Sequence, residues 1–198
     1  MLSTRKMRIN EIFYSLQGEG HFTGRPAIFI RFAGCNLRCP FCDTDFTSYT
    51  EMTVADILHA IASYPARFVV LTGGEPSLQL TPEFIAALKD AGYFLSIETN
   101  GTHPLPAGID WITLSPKSAF VKRADVVLEH CNELKLVYSG KVNPEEFLSI
   151  KADEYYLQPC DTGSDMANEV ILQTTIEYCK KHPVWSLSLQ MHKLVGIK

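Results

Sequence analysis

The stretch "GCNLRCPFCDTDF", residues 34–46, holds Cys35, Cys39 and Cys42 within eight positions and has no fourth cysteine near it. A disulfide needs an even set, and a structural zinc is nearly always closed by four Cys or His ligands at short paired spacings. The nearest histidines, His21 and His59, lie outside that spacing. An iron–sulfur cubane accounts for the count directly, because it takes four ligands. With three thiolates from the chain, one iron stays open to a small molecule. Electron transfer through that iron into a bound sulfonium would break a carbon–sulfur bond reductively. A non-catalytic zinc or redox module is the other reading the cysteines alone leave open.

The flanks say what carries this loop. "PAIFIRFAG" ahead of it is an apolar run closed by glycine and predicts a buried strand near 27–32. Thr53 with Asp56 three residues on resembles a capping box, opening an amphipathic helix to about Tyr64. "RFVVLTGG" reads as a second strand, stopped by two glycines. Thr81 and Pro82 read as N-cap and first residue of a helix ending near Gly92, and "YFLSIETNG" as a third strand. A β-α-β-α-β order calls for parallel strands with right-handed crossovers. Helices then thin out: "DWITLSP", "ELKLVY", "YYLQP" and "WSLSLQ" read as strands, with one clear helix at about 165–181. The fold class expected is α/β, an incomplete (β/α) barrel with about six parallel strands and a reduced set of helices. A closed eight-stranded barrel typically needs ~250 residues, and the chain has 198. No repeat or linker interrupts residues 1–198, which predicts a single domain.

Composition narrows the function classes. The chain is 46% hydrophobic and 20% charged with a net charge of −4, so neither nucleic acid nor a membrane surface is expected as partner. No stretch approaches the ~18 consecutive apolar residues of a membrane span. The basic start lacks an apolar run behind it, so no signal peptide is expected and the chain is read as cytoplasmic. In a reducing compartment clustered cysteines are metal ligands more often than disulfides. Cys131, Cys160 and Cys179, scattered among apolar neighbours, read as small core residues.

Parallel sheets of this kind bind ligands at the carboxyl ends of their strands. Those ends are Gly34–Cys35, Gly73–Gly74–Glu75–Pro76, Glu98–Thr99–Asn100–Gly101, Ser115–Pro116–Lys117 and Gln158–Pro159. The polar, glycine-rich and cysteine-bearing pieces therefore share one rim.

Cys-x3-Cys-x2-Cys after the first strand, with Phe41 before the third cysteine, resembles the signature of radical S-adenosylmethionine (SAM) enzymes. "LTGGEP" at 71–76 stands where that superfamily meets the methionine amine of the cofactor. Exposed carbonyls and a carboxylate are suitable acceptors for an ammonium. "SLQGEG", "RFAGCNLRCPFCDT", "LTGGEP", "ETNGT", "SPK" and the closing "SLQMHKLVGI" follow the order of the 7-carboxy-7-deazaguanine synthase family, which the chain resembles throughout. Met191 departs from the small polar residue expected before His192–Lys193.

The resemblance implies a ring contraction in queuosine (7-deazapurine) biosynthesis. The 5′-deoxyadenosyl radical takes hydrogen from C6 of 6-carboxy-5,6,7,8-tetrahydropterin, ammonia leaves, and 7-carboxy-7-deazaguanine forms. It implies a 4Fe-4S cluster on Cys35, Cys39 and Cys42, SAM, and Mg²⁺ on Thr44. Cofactor contacts fall on Phe41, Gly73, Gly74, Glu75, Gly101, Ser115, Pro116, Lys117 and Gln158. Substrate contacts fall on Leu16, Gln17, Gly18, Glu19, Arg31 and Thr99, with Arg31 able to pair the substrate carboxylate bidentately. A flavodoxin- or ferredoxin-type electron donor and a homodimer are implied too. A radical SAM activator of a protein glycyl radical is the alternative; it would lack a pterin pocket, and "SLQGEG" and Arg31 argue against it.

Overall fold

Side chains alternate across every strand, and that alternation builds two unlike faces on one sheet. In the computed structural model, which describes residues 4–42, 44, 45 and 47–198, the strands are β1 (Met7–Leu16), β2 (Pro26–Phe32), β3 (Thr50–Met52), β4 (Phe68–Gly73), β5 (Phe94–Thr99), β6 (Trp111–Leu114), β7 (His130–Tyr138), β8 (Lys151–Pro159) and β9 (Trp185–Leu187). They form one sheet in the order β3-β1-β2-β4-β5-β6-β7-β8-β9. From β2 through β9 all neighbours run parallel, seven strands in all. β1 is antiparallel to both β2 and β3. The sheet is an open, incomplete barrel, as expected, and not a closed one.

Among the described residues four α-helices accompany it: α1 (Val54–Ile61), α2 (Pro82–Asp90), α3 (Asp165–Lys181) and α4 (Met191–Val195). The Thr53 cap forms as read: its hydroxyl accepts from the Asp56 N–H at 3.2 Å and Asp56 accepts from the Thr53 N–H at 2.8 Å. Thr81 caps α2, with Pro82 in the first turn. α3 has its expected bounds, whereas α1 stops at Ile61, short of Tyr64. β1, β3 and α4 are additions to the sequence reading. β1 lay hidden in "INEIFYSLQGEG", read there as a motif. It returns to β2 through a short turn closed by Gln17 N–H to Arg25 O at 2.8 Å and Gly24 N–H to Gln17 O at 2.7 Å, and so short a return forces antiparallel pairing.

On the helix-covered face, Ile28, Ile30, Phe32, Val69, Leu71, Leu95 and Ile97 pack against Ile57 and Ile61 of α1 and Phe84 and Leu88 of α2. A second cluster under α3 holds Leu134, Leu136, Leu157 and Trp185. Among the described residues, the segments 100–110 and 115–129 form no helix and lead straight to the next strand. The opposite face changes character along the strands. Toward their amino ends it is apolar, with Phe29, Phe68 and Val70 buried beside Phe22 and Phe94. Toward their carboxyl ends it is polar: Arg31 lies beside Thr72 and Glu98 beside Thr113 in register, with Lys135 and Gln158 further along the sheet. An apolar floor under polar walls leaves a cleft at the rim.

Candidate active site

The cysteine loop leaves β2 at Phe32 and is pinned to the turn after β4. Gly74 donates to Phe32 O at 3.0 Å and Glu75 donates to Gly34 O at 2.9 Å. A Cβ on Gly74 would stand 2.0 Å from Gly34 O, so only glycine permits this approach. Asn36 ties the loop to the turn after β5 through Thr102 at 2.8 Å and Asn100 at 3.1 Å. Cys35, Cys39 and Cys42 then line one cavity of about 210 Å³, together with Phe41, Gly73, Gly74, Glu75, Thr99, Ser115, Lys117 and Gln158. Burial pushes the Cys35 and Cys39 thiols up, and the neighbouring sulfurs add to the shift. Among the described residues no three Cys, His, Asp or Glu side chains converge on a single metal ion. Three thiols lining one shared space are the ligand set expected of an iron–sulfur cluster with one iron left open.

The other cofactor candidates divide by what their side chains do. Glu75 is 1% exposed; its carboxylate accepts from the Thr99 hydroxyl at 2.7 Å, the Asn100 N–H at 2.7 Å and the Ser77 N–H at 3.1 Å. It braces the rim as well as lining it. Thr99, expected at the substrate, spends its hydroxyl on Glu75. Gly101, at φ +75°, packs against Leu114, and neither it nor Pro116 lines the cavity. Lys117 donates to Ser115 O at 2.7 Å and Ser115 Oγ at 2.5 Å. Burial lowers its pKa to about 8, opposed by the adjacent Cys39. Phe41 meets Phe120 edge-on at 4.8 Å. Cys131 and Cys179 belong to the core, as read; Cys160 is buried but faces the cofactor cavity, which the sequence reading did not foresee.

A second cavity of about 540 Å³ gathers Leu16, Gln17, Gly18, Glu19, Arg31 and Thr44, and joins the first along a wall that includes Glu19, Thr44, Thr72 and Glu98. Asp43 and Phe46, beside Thr44, lie outside the described residues. Arg31 donates through Nε to Glu11 at 2.9 Å and lies over Phe13 at 5.7 Å. Its terminal amino groups make no hydrogen bond among the described residues, so one edge of the fork faces the cavity. The closing segment packs onto "SLQGEG": Met191 donates to Gly18 O at 2.9 Å, and His192 fills the space a Cβ on Gly18 would need.

Sequence reasoning missed part of this wall. Lys135 is 5% exposed and pairs with Glu19 and, at 3.4 Å, with Glu98. Glu98 also accepts from Thr72 at 2.9 Å and Gln17 at 3.3 Å. A signal was present: Lys135 in "ELKLVY" and Glu98 in "LSIETN" are charged residues inside otherwise apolar strands, which require buried partners.

An open parallel sheet with three thiols at the carboxyl end of its first parallel strand defines a radical SAM protein, and residues 29–149 match the Radical SAM superfamily. The chain is 47% identical over 192 residues to the 7-carboxy-7-deazaguanine synthase of Bacteroides thetaiotaomicron, covering 96% of this chain and 98% of that one. It is 43% identical to the synthase of Bordetella pertussis, covering 96% and 98%. The crystal structure of QueE from Escherichia coli superposes with a TM-score of 0.77 at 32% identity, covering 94% of this chain and 95% of that one. The chain belongs to the 7-carboxy-7-deazaguanine synthase family of radical SAM enzymes, whose members carry a 4Fe-4S cluster and use SAM. No helix among the described residues is long and apolar enough to cross a membrane.

Proposed function

We propose that the protein converts 6-carboxy-5,6,7,8-tetrahydropterin to 7-carboxy-7-deazaguanine with loss of ammonia, in queuosine biosynthesis. One observation carries the reading: relatives aligned along nearly the whole chain bear the synthase name. The cleft is consistent with it, having thiols at one end and Arg31 with the "SLQGEG" turn at the other. When bound, the cluster and SAM supply an electron and a hydrogen-abstracting carbon radical; the chain supplies position and seclusion.

Cys35, Cys39 and Cys42 hold the cluster. The strand-end backbone at Gly73–Gly74, with Ser115, Lys117 and Gln158, orients the cofactor, and Phe41 shields its cluster side. Arg31 holds the substrate carboxylate through the edge of its guanidinium that Glu11 leaves open; Glu11 fixes that edge's direction. Gln17 and Glu19 meet the donors and acceptors of the pterin. Thr44 would offer its hydroxyl to Mg²⁺, a cation that in general keeps waters and takes substrate oxygens as further ligands. Electrons come from a flavodoxin- or ferredoxin-type donor, and residues 1–198 act as one domain within a cytoplasmic homodimer.

The test is an anaerobic assay of the reconstituted protein with SAM, Mg²⁺, a reductant and the carboxytetrahydropterin, read by ultraviolet absorbance of the deazapurine. Accumulation of the deazapurine is the expected result. Cleavage of SAM with the pterin recovered unchanged would overturn the reading.

A further inference from the structure

Lys135 stands on β7 in the wall of the cofactor cavity, and its partners, which line both cavities, come from across the fold. Its ammonium reaches Glu19 in the turn after β1 and Glu98 at the end of β5. Glu19 also accepts from Gln190, ahead of α4, at 3.0 Å. One cation thus ties together the turn, two strands and the closing segment.

The charges do not balance. Glu19 and Glu98 both line the open cleft, and they share a single ammonium. A third carboxylate, Glu133, lies two residues before Lys135 on the same strand, held by the His21 N–H at 3.2 Å and the Trp111 indole N–H at 3.3 Å. A buried ion pair is a poor way to stabilise a sheet face, because apolar packing does as well without desolvating charges. The same face is packed with phenylalanine only a few residues away. What the clamp provides locally is more carboxylate than ammonium, on side chains that line the cleft and whose oxygens keep acceptor capacity beyond the donors already named. Its complement is a flat ligand edge that presents adjacent N–H donors.

We propose that Lys135 is a positioning residue that holds the Glu19 and Glu98 carboxylates at a set separation, so that together they read the amino-pyrimidine edge of the substrate. This rests on the pterin reading above and deepens it: Arg31 reads the carboxylate, and the Lys135 clamp reads the opposite, donor-rich edge. The charged groups facing the clamp are Glu19 from the turn, Glu98 from β5, Glu133 from β7 itself and Lys117 from the loop after β6. Burial by itself would lower the Lys135 ammonium; the three carboxylates outweigh it and hold the group well above its ordinary range. Burial would likewise raise Glu98, and Lys135 is the leading influence keeping it below its ordinary value.

The experiment titrates the anaerobic, cluster-loaded protein in the presence of SAM with two fluorescent probes. One is 6-carboxypterin; the other is 6-carboxylumazine, in which oxygen replaces the 2-amino group. The parent should prefer the pterin by about tenfold or more, the factor for one charge-assisted hydrogen bond. Lys135→Met should weaken pterin binding roughly ten- to a hundredfold, leave the lumazine nearly unchanged and so erase the preference. Lys135→Arg should restore most of it. Parent affinity should be flat between about pH 5.5 and 7, below the range in which Lys117 and the lactam N–H of the probes titrate, whereas that of Lys135→Met should improve as pH rises and Glu98, no longer paired, loses its proton.

Equal weakening of both probes, or an unchanged preference, would overturn the proposal. Should Lys135→Met fail to fold or to load iron, Glu98→Gln, which keeps the shape and removes the charge, decides in its place. Loss of the pterin preference supports the clamp, and a retained preference overturns it. A parent that binds neither probe and makes no deazapurine would instead overturn the functional reading, and this inference with it.

Discussion

Replacing Glu75 by glutamine alters little in size and removes a charge at the joint of the rim. One carboxylate oxygen accepts from the Ser77 N–H at 3.1 Å and the Thr99 hydroxyl at 2.7 Å; the other accepts from the Asn100 N–H at 2.7 Å. A glutamine amide must turn its NH₂ toward one side or the other. The Thr99 hydroxyl can rotate to accept, but the backbone N–H of Asn100 or of Ser77 cannot, so one buried donor is left facing a donor. A charge-assisted hydrogen bond lost in this way costs about 1.5–3 kcal/mol. For a chain of this size each kcal/mol moves Tm by roughly 2–4 °C. Glu75→Gln should therefore melt roughly 3–12 °C lower. Because the effect belongs to the scaffold, circular dichroism of the protein before cluster reconstitution is the proper assay. Thr99→Val, which deletes one hydroxyl and strands no backbone N–H, should fall less far. A Glu75→Gln melting curve superimposable on the parent's would refute the reasoning and leave Glu75 as a cofactor contact only.

Alanine at Cys35, Cys39 or Cys42 should abolish the brown colour and the iron of the reconstituted protein, whereas Cys160→Ala, although it faces the same cavity, should keep both; iron and sulfide analysis checks this. Gly74→Ala forces Gly34 O away from a position 2.0 Å from the new Cβ, so iron loading should fall sharply, while Gly92→Ala, strained by its φ of +81° but with open space around it and remote from the loop, should melt lower yet load iron normally. Thr44→Ala should retain the cluster and SAM cleavage but lose most Mg²⁺ stimulation of turnover; an unaltered Mg²⁺ response would remove Thr44 as the ligand. Asp161 is held below the usual carboxylate range by Lys193, the Gly163 N–H and Asn168. With the folded value depressed, its stabilisation is complete above the unfolded value of about 3.9 and lost as pH falls beneath it. Asp161→Asn should accordingly melt below the parent at neutral pH, and the gap should close on acidification below about pH 4; a gap independent of pH would contradict that.

The features legible along the chain were those that neighbours in sequence decide. The Thr53 and Thr81 caps, the glycine stops after the strands and the Cys35–Cys39–Cys42 spacing all depend on sterics and hydrogen bonds within a few residues. The parallel core followed from the alternation of apolar runs and helical periods, because crossovers leave few topologies open. The antiparallel β1 was not legible, since its pairing depends on the turn at 17–25 folding back and not on its own composition. The partners of the charged groups were not legible either. Arg31 meets Glu11 only through the β1–β2 register, and Glu75 meets Thr99 only because β4 and β5 are neighbours. Lys135 is separated from Glu19 by 116 positions, and Gln190 by 171 from the same carboxylate. A composition can require that a buried lysine find an anion. Which anion, and on which side of the cleft, is decided by strand order and register, because Coulomb attraction acts only on groups the sheet has already brought within a few ångströms.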